Sequence, residues 1–392
     1  MMKLRKLAAL AAALLLALTL SVAAFGETLA YSAIAASIAA AEKNQMGIDE
    51  DAPLLTEEKL PAGSSVSDWT ALAMARAGIA DDYAGYLSRL QDYVERKYQV
   101  EGGLHTAKAT EYHRIALTAA ALGGDPAAFG AKPDGTAIDL VAEGTYNWQG
   151  EEDLGGQGLN GWIFALLTMD AVGAEVPADA RYSRQDMIGA ITAEQLSDGG
   201  FSLGGGSMDV DITAMALQAL APYQEEIPDV IDGALNALSE AQSPDGGFES
   251  WGAQNSESCA QVILALCELG INPESDERFQ KAEGNAVTAL LSFCTADGGV
   301  AHQRGGQADA MAGEQAMQAL MALHLLQQGE GRFFDLRFAH PVQLNGAGDA
   351  APAETPAKCA TSFPVLPVVL AVIAAAAVVA VVVLKKKREK KA

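Results

Sequence analysis

Acidic residues form the pattern most suited to chemistry in this chain. Asp209-Val210-Asp211-Ile212-Thr213 places two carboxylates two residues apart, directly before an apolar run that ends at Leu220. A carboxylic acid held protonated and hydrogen-bonded by its neighbours can serve as a general acid, and Asp211, with Asp209 beside it, is the candidate. Acids recur at the same place in other apolar stretches, as Asp68, Glu111 and Glu257. A carboxylate in the first turn of a helix also caps free amides and meets the positive end of the helix dipole, so each has a purely structural use. If all four gather at one mouth of a closed barrel, they attract cations there.

The elements that position these acids follow from a repeat. Gln195 to Phe201, Gln242 to Phe248 and Cys294 to Val300 share an Asp-Gly-Gly turn, with a looser copy at Gln99 to Leu104 and a degenerate one around Asp153 to Gly156. The unit recurs at roughly fifty residues. An Ala-rich helical stretch precedes each turn and a second follows it, so each unit is a helical hairpin. In the turn, Asp caps backbone amides and the glycines are expected at positive φ. The following helices are apolar on nearly all sides, as a helix buried all round must be. Six hairpins are countable, starting from an outer helix near Ala30 to Lys43, and six suffice to close a ring.

Composition narrows the function. The 392 residues are half apolar and carry a formal charge of −24, from 26 Lys and Arg against 50 Asp and Glu. A surface of that sign repels phosphate backbones, so nucleic acid is not an expected partner. The four cysteines, Cys259, Cys267, Cys294 and Cys359, lack zinc-site spacing and read as small apolar residues or linker thiols. Residues 1–26 read as a signal peptide: Lys3, Arg5 and Lys6 precede an Ala/Leu run and small residues. Phe363 to Leu384 has no charged residue, and at about 1.5 Å per residue it can cross a roughly 30 Å hydrocarbon core. The basic tail, 385–392, marks the cytoplasmic side. Residues 341–362, rich in Ala, Pro, Gly and Asn, read as a stalk. The expected layout is an ectodomain of residues 27–340 outside the cell, anchored by one C-terminal helix in the manner of a bacterial surface protein.

The turn Gln242 to Phe248, with Trp251 just beyond, resembles the glutamine-tryptophan repeat of squalene and other terpene cyclases, prenyltransferase β subunits and the cobalamin carriers of the intrinsic factor type. Asp209 to Ala216 resembles both the Asp-x-Asp-Asp acid motif of class II cyclases and the Val-Asp-Thr segment of the carriers. Ile212 stands where the cyclase motif has its last Asp. The resemblance, over roughly Ala30 to Phe338, implies an all-α fold, an α/α toroid of six hairpins, or (α/α)6 barrel. Prenyltransferases hold zinc with an Asp, a Cys two residues on and a later His. Glu257-Ser258-Cys259 mimics the first pair, but Gly313-Glu314-Gln315 offers no histidine, so no metal is expected. Ala312-Gly313-Glu314-Gln315 is similar to the thioester motif of complement proteins with Ala312 in place of the cysteine, which removes that chemistry. Trp148, Trp162 and Trp251 are candidates for a ligand mouth, although tryptophan at these turns in the family packs between repeats, and that is the favoured reading.

The expected function is a membrane-anchored ligand-binding or recognition module, as in the carriers, with Asp68, Glu111, Asp211, Glu257 and Trp251 around a small apolar or cationic ligand. The alternative is an enzyme on the same fold. It would be either a terpene-cyclase-like isomerase with Asp211 as acid or a glycan-active hydrolase or lyase using Asp209, Asp211 and Glu257. The sequence names no cofactor. Inner helices of Ala, Leu, Met and Thr imply a lumen without aromatic faces.

Overall fold

Among the described residues, the even-numbered members of a row of twelve α-helices form the ring. They are α2 (Ser65–Arg76), α4 (Ala109–Ala121), α6 (Leu159–Ala171), α8 (Val210–Leu220), α10 (Ser256–Glu268) and α12 (Ala310–Gln328). Each touches the next, and α12 returns to α2, which closes the circle. Between them run the outer helices α1 (Ala30–Gln45), α3 (Tyr83–Glu101), α5 (Leu140–Gly144), α7 (Arg184–Ala193), α9 (Pro228–Ala241) and α11 (Ala286–Leu291). α5, α7, α9 and α11 pack on α4, α6, α8 and α10, and α1 packs on α12. This computed structural model describes residues 30–344. The fold is mostly helical, as the repeat predicts.

Burial explains the two helix classes. Ala71 to Met74 on α2 and Ile115 to Leu117 on α4 are wholly enclosed, and their many alanines let neighbouring backbones approach. The outer α9 instead buries one stripe, Ile231, Ala234, Leu235 and Leu238, at the spacing of a single helix face.

The repeat turns work by local chemistry. The Gln195 amide donates to Gly199 O and Val230 O, both at 2.8 Å, and Gln242 donates likewise to Gly246 O (2.9 Å) and Phe279 O (3.3 Å). Asp198 and Asp245 accept from the amides of Gly200 and Gly247. Only the first glycine of each pair has positive φ: Gly199, Gly246 and Gly298. The second is required by space, since a Cβ on Gly200 would lie 2.2 Å from Met208 Cγ. Phe201 and Phe248 then turn fully into the core.

The expected signal peptide, membrane helix and stalk beyond Leu344, with the basic tail and Cys359, lie outside the described residues. Among the described residues no helix is long and apolar enough to cross a membrane. Residues 341–344, expected to begin the stalk, are tied to the ring. Asp81 N donates to Val342 O (3.2 Å), and Leu344 N donates to Asp81 O (3.0 Å). Cys259 and Cys267 are free and buried, but Cys294 is disulfide-bonded, which corrects the expectation of plain thiols.

Candidate functional site

The four acids do begin equivalent inner helices, yet they do not form one ring of like charge. Asp68, wholly buried in the first turn of α2, accepts from Arg114 Nε (2.9 Å), Tyr86 Oη (2.7 Å) and Gly63 N (3.0 Å). Glu111 on α4 grips the other side of the same guanidinium at 2.7 and 3.0 Å. Burial pushes the Asp68 carboxyl up, against the pull of Arg114. These two acids thus share the single positive charge of Arg114, which ties α2 to α4. No sequence signal singles out Arg114, which pairs with Asp68 across 46 positions.

The other pair sits across the mouth. Asp209 caps α8, its Oδ1 accepting from the amides of Asp211 (2.9 Å) and Ile212 (3.0 Å). Asp211 is largely enclosed, and its Oδ1 has no partner in hydrogen-bond geometry. Burial raises its pKa, the Ser258 and Ser250 hydroxyls oppose the rise, and Asp209 and Glu257 add to it. Glu257 receives Nδ1 of His302 at 2.9 Å from both carboxylate oxygens and the Ser256 hydroxyl at 3.1 Å. The His302 contact is a second residue that sequence reasoning missed.

Trp251 contradicts the packing expectation. It forms the tip of a two-residue hairpin between β1 (Glu249–Ser250) and β2 (Ala253–Gln254), is 95% exposed, and has φ +56°. A bulky residue at positive φ is unusual, and here it shares the turn with Gly252, also at positive φ. Trp148 is buried and Trp162 half-buried. Cys259 is enclosed, and burial pushes its thiol up to about 12. Among the described residues no three His, Cys, Asp or Glu side chains converge to hold a metal ion.

Inside the ring lies a chamber of about 190 Å³. One arc carries Trp69 from α2 and Phe164 from α6, with ring centroids 6.1 Å apart. These aromatic faces correct the expectation of a lumen without them. The opposite arc carries a chain of amides: Gln218 donates to Gln261 Oε1 (2.8 Å), and Gln261 donates to Gln315 Oε1 (3.0 Å). Glu314, wholly buried, receives the Gln318 amide, and burial lifts its pKa well above the usual range. Met311 stands half exposed at the mouth and Phe334 lines the far end. None of Asp68, Glu111, Asp211 or Glu257 lines the chamber. A larger groove, about 900 Å³, runs along the outside near Tyr112, Glu143 and Trp148 and involves none of the acids picked out from the sequence.

Comparison with known proteins agrees with this architecture. Residues 155–343 match the Prenyltransferase alpha-alpha toroid domain family. The chain is also similar to a drimenyl diphosphate synthase of Streptomyces showdoensis, 29% identical over 135 residues, which are 34% of this chain and 25% of that protein. The chain therefore spans about a quarter of the length of that curated relative. Ring closure, repeat turns and family match together identify a mostly helical chain with a terpene-cyclase-like α/α toroid domain.

Proposed function

We propose that the toroid is a small-molecule-binding module whose ligand enters between the N-terminal ends of the inner helices, and that it is displayed on the cell surface by a C-terminal anchor. The chamber carries this reading: it offers an aromatic wall on one arc and hydrogen-bonding amides on the other. Specific small-molecule sites combine an apolar lining with a few placed polar groups in this way. The disulfide at Cys294 supports an oxidising compartment, consistent with export.

A second reading is an acid-initiated enzyme. Two observations favour it: the relative is a diphosphate synthase of the terpene class, and Asp211 is an enclosed acid with a raised pKa. Against it, Asp211 lies outside the chamber, and its motif neighbour Asp209 is occupied with capping.

Native mass spectrometry of the purified chain separates the two. Binding predicts a co-purified small molecule that survives Asp211→Asn and is lost in Gln261→Leu. Catalysis predicts consumption of an added isoprenoid diphosphate, abolished by Asp211→Asn. Absence of any adduct, together with such turnover, refutes the binding reading.

A further inference from the structure

The C-terminal ends of the inner helices are bridged by a short segment of chain. Arg76, the last residue of α2, donates from Nη2 to Arg332 O at 3.2 Å. Glu268, the last of α10, accepts the Phe334 amide at 3.1 Å. The carbonyl of Ala171, the last of α6, accepts the Leu336 amide at 3.0 Å. Helices α2, α6 and α10 are alternate members of the six-membered ring, so three evenly spaced anchors hold residues 332–336 across its opening. Phe333 packs edge-on against Phe334 with centroids 5.1 Å apart, and the Arg76 guanidinium lies 5.6 Å from the centre of the Phe333 ring.

Phe334 also separates two hollows. It lines the chamber on one side and, on the other, a second hollow of about 250 Å³ walled by Asp170, Arg184, Arg332 and Asp335. Gln218 borders both.

We infer that residues 332–336 are the floor of the binding chamber and that Phe334 sets the length of the ligand it admits. This rests on the chamber being the ligand site. The ligand class follows from size and lining. An apolar hollow of about 150 Å³ accommodates benzene, so a chamber of about 190 Å³ takes a six-carbon ring with few further heavy atoms. Its hydrogen-bonding end meets the amides of Gln218, Gln261 and Gln315, and its apolar body lies against Trp69 and Phe164. A longer tail runs into Phe334.

Two measurements on the full chain in lipid nanodiscs test this, with empty nanodiscs as the control. Hydrogen exchange reads the floor directly: the Phe334 and Leu336 amides are expected to be strongly protected, and free exchange at both overturns the floor. Calorimetric titration with phenol and its 4-methyl, ethyl, propyl and butyl derivatives reads ligand length. In the wild type, affinity is expected to climb about fourfold per added methylene and then stop. In Phe334→Ala the climb continues through the longer members, and in Phe334→Leu, which keeps an apolar plug, it stops later than in the wild type. The same stopping point in all three proteins overturns the role of Phe334. Protected amides with no binding of any phenol leave the floor standing and refute the chamber as the site for this ligand class.

Discussion

Glu42 is a buried acid whose protonation bears on the stability of this ring. It lies on α1 against α12, where a Cβ on Gly313 would come within 2.7 Å of its Oε1, and neither carboxylate oxygen has a hydrogen-bond partner. Burial, reinforced by Asp309, pushes its pKa up to about 8. The unfolded chain holds a glutamate near 4.3. Between these limits the folded state keeps a proton that the unfolded state has released, so stability falls as pH rises and the loss is complete only above pH 8. With about 1.4 kcal/mol for each pH unit across that window, Glu42→Met is expected to gain on the wild type by about 4 kcal/mol between pH 5 and pH 9. Urea unfolding at both pH values measures the gap, and a gap that stays constant contradicts the assignment. Glu314 titrates in the same direction, and for the same reason, inside the chamber.

At the scale of the element, the repeat turn carries its own instructions. Gln242 is buried and spans the turn at Gly246 and the next outer segment at Phe279, so Gln242→Ala strips two carbonyls of a donor at once. Leaving buried polar groups unpaired costs about 1–3 kcal/mol. A loss in that range on chemical denaturation is expected, and a loss below about 0.5 kcal/mol would mean that water replaces the amide. These turns and the buried helices after them were legible in sequence because their signals are local: Asp, paired glycines, then an apolar run. Arg114, His302 and the floor at Phe334 were not, because each gains its role from a partner tens of residues away and looks ordinary in its own window. Trp69 and Phe164 escaped for another reason. In a helix apolar all round, periodicity no longer says which side chain faces the lumen and which faces a neighbouring helix.

At the scale of the whole molecule, charge and covalent chemistry bear on where the ring works. A net charge of −24, although the far C-terminus holds six basic residues in its last eight positions, leaves the ring itself strongly acidic. Such a body stays apart from anionic membranes and nucleic acid while drawing in cations. A disulfide at Cys294 persists in oxidising surroundings and is rare in a reducing cytosol. The basic cluster from Lys385 to Lys391 follows directly on the apolar run ending at Leu384, and if that run is the proposed anchor, its positive flank belongs on the cytoplasmic side. The proposed orientation, with the toroid outside the cell and the tail inside, is consistent with all three considerations. Protease added to intact cells is therefore expected to cut the chain between Leu344 and Phe363 and release a folded body that retains the ring. An antibody to the tail should detect its epitope only after permeabilisation. Full protection of the ring in intact cells, with the tail accessible, would reverse the orientation. It would also place the Cys294 disulfide in a reducing compartment, where it should be found as a thiol.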